Sequence, residues 1–132
     1  MPALTFTRRE PPASFFERVG GAGFFDVLIA HFHEEVEARP ALRALYPEDP
    51  TAAHEHLRLF LIQYFGGPET YNELRGHPRL RMRHAPFTID VELRDQWLSA
   101  MLAAVAATGL DGPERAELIA YLDTAAHQLR NA

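Results

Sequence analysis

Apolar residues recur at helical spacing along almost the whole chain, and no other feature limits its fold so strongly. From about 23 to 38, Phe25, Leu28, Ile29, Phe32 and Val36 stand at i, i+3, i+4, i+7 and i+11. At about 3.6 residues per turn they line one face of an amphipathic helix. A half-buried strand would need alternation with a period of two, and no segment sustains it. The chain reads as all-α.

Turn and cap chemistry divides the stripes. Ser14-Phe-Phe-Glu17 has capping-box spacing and opens a short helix that Gly20-Gly21 stops. Pro40 suits the first turn of a helix running toward Tyr46. Asp49-Pro50 opens the next, with Ala53, Leu57, Phe60, Leu61 and Tyr64 on one face, and Gly66-Gly67-Pro68 ends it. Residues 68–76 read mostly as loop, with room for a helical turn around Tyr71–Leu74. A short helix ending at His84 follows. A long one runs from about Asp90 to Thr108 with Trp97, Met101 and Val105 inward. Pro113 starts the last, with Ile119, Leu122, Ala126 and Leu129 toward the core. A plain up-down bundle is one arrangement of such helices. Their unequal lengths argue against it, as does the glycine-punctuated loop before His84, since a long loop in a compact domain is usually functional.

The 132 residues suit one domain, 14–132, behind a flexible N-terminal tail, 1–13. That tail lacks the apolar core of a secretory signal, and no apolar run reaches the roughly 20 residues of a membrane span. A hydrophobic share of 47% with 23% charged residues is that of a soluble globular protein. The absence of cysteine excludes disulfides, thiolate chemistry, iron–sulfur clusters and thiolate-bound haem, and suits a reducing cytoplasm. A net charge of −5 makes nucleic acid and anionic membranes poor partners.

One segment departs from that acidic average: Arg75-Gly-His-Pro-Arg-Leu-Arg-Met-Arg-His-Ala-Pro-Phe87. It sets His84 at the end of a basic turn of helix, which Pro86 closes by disfavouring helical geometry at Ala85. Such a histidine among arginines can bind a group that is both metallic and anionic. Haem is both, with an iron that takes an axial imidazole and propionates that seek cations. The plainer alternative is a helix C-terminal histidine stabilised by the helix dipole. The other histidines give no chelating pattern: His31 with His33 and His54 with His56 are i, i+2 pairs, about 200° apart on a helix. His31, His77 and His127 read as solvated surface residues. His54 and His56 flank the Ala53–Leu57–Phe60 stripe on opposite sides, where either can snorkel to solvent or lean toward a pocket. His33 lies at the edge of the Phe25–Val36 stripe and points inward. Trp97 and Tyr46 are either core anchors or polar donors into a pocket.

These residues also carry a resemblance. From about Ser14 to the C-terminus the chain resembles the group II truncated haemoglobins. The likeness runs through Phe15–Gly21, Leu42–Asp49, Leu57-Arg-Leu-Phe-Leu61, Gln63-Tyr-Phe-Gly-Gly-Pro68, Arg75–Phe87, Arg94-Asp-Gln-Trp97-Leu, Tyr121-Leu and Ala125-Ala-His127. Its most specific element is the arginine–histidine run with a tryptophan 13 residues after His84. The resemblance implies a two-over-two globin sandwich around haem b. His84 would be the proximal iron ligand and Arg83 a propionate partner, with Arg79 and Arg81 nearby. Trp97 and Tyr46 would be distal hydrogen-bond donors, and Ala53 and Leu57 would line the distal wall, the small Ala53 opening an access route. Phe32, Phe60 and Met82 would pack on or near the porphyrin. The departure is His33, where relatives carry tyrosine in an Arg-Phe-Tyr context and this chain reads His31-Phe-His33; the loop after Tyr46 is also one residue shorter. Imidazole there replaces a phenolic donor with a base and a sixth-ligand candidate.

The function implied is reversible binding, and so transport, of oxygen and other diatomic ligands at a histidine-ligated iron. A redox enzyme acting on peroxide or nitric oxide is the alternative, and with no flavin or nicotinamide motif it would draw electrons from a reductase protein. A haem-free helical module is the third reading. The assembly expected is a monomer or homodimer.

Overall fold

Each apolar stripe becomes a helix, and local capping sets most of the boundaries. The structure is a computed structural model that describes residues 13–84 and 87–132, apart from the side chains of Leu80 and Arg81. The expected tail up to residue 12, the helix stop at Ala85-Pro86 and the role of Arg81 lie outside the described residues.

Ser14 caps α1 (Phe15–Arg18), its Oγ accepting from the Glu17 backbone N–H at 3.2 Å. Gly20 and Gly21, at φ 96° and 84°, turn the chain into α2 (Ala22–Glu37). α3 (Pro40–Arg43) is shorter than the expected run to Tyr46. The guanidinium of Arg43 donates to the carbonyls of Pro47 and Glu48, both at 2.8 Å, and to Glu37 Oε1 at 2.7 Å. Those bonds hold the segment beyond Arg43 in a non-helical corner.

α4 (Thr51–Tyr64) opens behind Asp49, whose Oδ1 accepts from the Thr51 N–H at 3.0 Å. The stretch from Thr70 to Arg75, expected as mostly loop, is a full helix, α5 (Thr70–Arg75). Gln63 on α4 explains it: its amide accepts from the Asn72 N–H and donates to the Asn72 side chain, both at 3.0 Å. Tyr71 is buried beside that clasp. α6 (Leu80–His84) follows. Asp90 caps α7 (Val91–Thr108) through the Leu93 N–H at 2.9 Å, and Gly109 ends it in the left-handed region. α8 (Gly112–Leu129) completes the chain.

The helices stack as two pairs, α2 with α4 and α7 with α8, joined mainly where α2 meets α7. Phe25, Leu28, Phe32 and Val36 of α2 are fully buried with Met101 and Val105 of α7 and Leu118 and Leu122 of α8. Fully buried Ala100 and Ala104 suit the close approach of α7 to α2. Trp97 and Leu129, expected inward with the core, are instead only half-buried, and the reason is the space they border.

Candidate functional site

Between the helix pairs lie two contiguous compartments of about 230 and 310 Å³. Tyr46, Ala53, His84, Phe87, Trp97 and Leu129 border both. Leu42, Leu45, Ile89 and Leu93 make the first strongly apolar. Leu57, Phe60, Tyr71 and Tyr121 line the second, with Arg75, Arg83 and His56 as its polar members.

His84 reaches the cavity from the last turn of α6, and Phe87 and Ile89 beyond it are pinned from the far end of the chain. Asn131 donates to the Phe87 carbonyl at 2.8 Å and accepts from the Ile89 N–H at 2.8 Å. Its own N–H donates to the Ile89 carbonyl at 2.9 Å. Nothing in the spacing of the sequence marks Asn131 for this task. Arg83 donates from Nε to the Pro78 carbonyl at 2.7 Å and from Nη2 to the Arg75 carbonyl at 2.9 Å, and lies over the Tyr71 ring. Arg75 lies 2.8 Å from His56 Nδ1. Burial, then Arg75 and Arg83, hold the His56 imidazole below the ordinary histidine range. Neither arginine pairs with a carboxylate among the described residues. This edge of the cavity is therefore cationic and uncompensated. Arg79, at φ 44°, is exposed on the turn before α6.

Tyr46, Ala53, Leu57, Phe60 and Trp97 all stand on the cavity wall. Burial pushes the Tyr46 phenol up to about 12, so it is a protonated donor at any ordinary pH. Three residues named from the sequence stand off the wall. Phe32 is fully buried behind it, edge-on to Trp97 at 6.1 Å. Met82 is 61% exposed on α6. His33 is half-buried and faces His54, ring centroids 4.9 Å apart and nearly perpendicular.

Of the two directions open to His54 from the sequence, solvent or pocket, the side chain takes the inward one. It is the one buried polar side chain among the described residues, stacked on Tyr46 at 5.2 Å and edge-on to Phe32 at 5.7 Å. Burial first, then His33, holds its imidazole below the ordinary range. The i, i+2 spacings of the histidines hide this pairing, which arises only where α2 crosses α4.

Among the described residues no three of His, Asp and Glu converge, and of the two cavity imidazoles His56 is engaged by Arg75, so the chain offers His84 rather than a cage of ligands. A metal held by one imidazole needs a group that brings its own ligands. Apolar walls and two carboxylate-free guanidiniums suit a flat apolar macrocycle with acidic substituents, and the site fits an iron porphyrin.

Stacked helix pairs around such a cavity define the globin class. The family model of the bacterial-like globins matches residues 14–131. Group 2 truncated hemoglobin YjbI of Bacillus subtilis is 40% identical over 111 residues, 84% of each chain. The hemoglobin of Chloroflexus aurantiacus superposes with a TM-score of 0.88 at 49% identity, covering 93% of this chain and 100% of that one. The group II truncated hemoglobin of Bacillus anthracis gives 0.89 at 36% identity, covering 93% and 95%. The chain belongs to the bacterial-like globin family as a group II truncated haemoglobin, with the two-over-two fold. It is a haem-binding globin, and no helix among the described residues is long and apolar enough to cross a membrane.

Proposed function

We propose that this protein binds haem b through His84 and reversibly binds oxygen and other diatomic ligands in the cytoplasm. The observation that carries the reading is one cavity bordered by His84, Trp97 and Tyr46, with Arg75 and Arg83 uncompensated at its edge. Haem, when bound, supplies an iron with one face open to a small ligand. The His84 ring would supply the imidazole nitrogen, and the Asn131 clasp holds Phe87 and Ile89 beyond it. Arg83 and Arg75 supply positive charge for the propionates. Phe60 and Leu57 supply apolar wall that keeps water away. The Trp97 indole N–H and the protonated Tyr46 hydroxyl are donors for a polar diatomic ligand in the cavity. His33 and His54 act one layer back, where His54 holds the Tyr46 ring by stacking.

Oxygen equilibration of the reduced, haem-loaded protein tests this. Spectral changes that reverse on removing oxygen support it, while immediate oxidation without reversible uptake contradicts it. A second reading, redox turnover of peroxide or nitric oxide with a reductase protein, is favoured by one observation: an aromatic chain links the cavity to the surface.

A further inference from the structure

The cavity wall residue Tyr121 does not end at the cavity. Its ring lies 4.0 Å from that of Tyr64, inclined by 30°, the shortest ring separation among the described aromatic pairs. Phe60, also on the wall, lies 6.2 Å from Tyr64, and Phe65 lies 5.3 Å from Tyr121 and 5.0 Å from Tyr64. Tyr64 is 55% exposed and borders an open surface groove with Phe65, Glu117, Tyr121 and Thr124. Of the four tyrosines only Tyr64 is exposed. Tyr64 therefore holds a solvent-facing phenol in ring contact with a cavity phenol.

Among these side chains phenols oxidise far more readily than phenyl rings, so Tyr121 and Tyr64 form the redox-competent part of the array. We infer that Tyr64 is a surface oxidation site, joined to the haem cavity through Tyr121, at which small electron-rich phenols give up electrons during peroxide reduction. The inference rests on haem occupying the cavity and on the redox reading above. The balance is complete: peroxide takes two electrons and two protons and leaves as two waters. Each of two phenol molecules supplies one electron and one proton and leaves as a phenoxyl radical. Tyr64 mediates each transfer by losing an electron inward through Tyr121 and a proton to water, then recovering both from the donor phenol. Tyr121 serves as the relay, because burial, with Tyr64 beside it, pushes its phenol up to about 12 and it has less access to water. Tyr64, facing solvent, can release its proton directly.

The test uses haem-loaded wild type, Tyr64→Phe and Tyr121→Phe, each mixed with hydrogen peroxide without a donor phenol. Electron paramagnetic resonance of rapidly frozen samples reads the tyrosyl radical, and dityrosine fluorescence of a covalent dimer reads its arrival at the surface. The expected result is a radical and a dimer in wild type, loss of the dimer in Tyr64→Phe, and a weakened radical in Tyr121→Phe. The Soret response to peroxide is unchanged in Tyr64→Phe, which lies off the cavity wall. With a methoxyphenol added, wild-type dimer formation is suppressed because the donor returns the electron first. A normal Soret response with an undiminished dimer in Tyr64→Phe, or an undiminished radical in Tyr121→Phe, overturns this inference alone. Protein that takes up no haem overturns the proposed function and this inference together.

Discussion

At the scale of single residues, the cavity depends on a few polar atoms held among apolar ones. Trp97 borders both compartments, and Tyr46 is a half-buried donor whose phenol stays protonated. A hydrogen bond to a ligand is worth about 0.5–1.5 kcal/mol, so Trp97→Phe is expected to speed oxygen release by roughly two- to tenfold. Stopped-flow displacement measures it, and an unchanged off-rate would remove Trp97 from the role. His54 has a different consequence. Burial and His33, with a smaller push from Arg43, lower its affinity for a proton against the opposing pull of Glu37. The unfolded chain, near the ordinary 6.5, accepts the proton first. Stability is then full above about pH 6.5 and falls as pH drops through the lower folded value. His33, Glu37, Arg43 and Tyr46 are the titratable or charged groups facing this imidazole. His54→Leu is expected to flatten the fall in urea midpoint between about pH 7.5 and about pH 5. A variant that loses midpoint as steeply as wild type would contradict that assignment.

Elements differ in how openly the sequence declares them. α2 and α7 begin and end, and α8 begins, within a residue or so of where apolar spacing and caps place them. That information is local, carried by Asp90, Gly109 and the stripe from Phe25 to Val36. α5 is not local. Its helical state depends on Gln63 clasping Asn72 and on burial of Tyr71, both contacts with α4. The proposed His84 site was legible from its flanking arginines and from family likeness, whereas the Asn131 clasp joins residues more than forty apart. Asn131→Ala is expected to cost about 1–3 kcal/mol of local stability, seen as faster hydrogen exchange at the Ile89 amide. Faster haem loss should accompany it, and unchanged exchange would mean that the clasp does not hold this segment. Gly67 is a second element-scale constraint, because an added Cβ would come within 2.6 Å of Ile62 and 2.8 Å of Phe16. Gly67→Ala should lower stability by about 1–3 kcal/mol, read from the denaturant midpoint. An unshifted midpoint would show that Ile62 and Phe16 yield freely.

For the whole molecule, the two stacked pairs make a core that is continuous through α2, α7 and α8, while the cavity interrupts packing between α3–α4 and α6–α8. A group that binds only the folded chain stabilises it by mass action, by about 4 kcal/mol at a thousandfold excess over its Kd. Haem removal is therefore expected to lower the melting temperature, with the greatest loss of exchange protection in α6 and the segment to Ile89. Equal melting curves with and without haem would place the group outside this core. The aromatic route leaves the second compartment at Tyr121 and ends at Tyr64, which borders neither compartment.

The most direct test of the account is the ferrous visible spectrum of haem-loaded protein beside His84→Gly, with and without added imidazole. The expected result is a five-coordinate, histidine-ligated spectrum in wild type, its loss in His84→Gly, and its return when imidazole fills the gap. A His84→Gly protein with an unaltered spectrum would mean that another residue holds the iron, and the central assignment would fall.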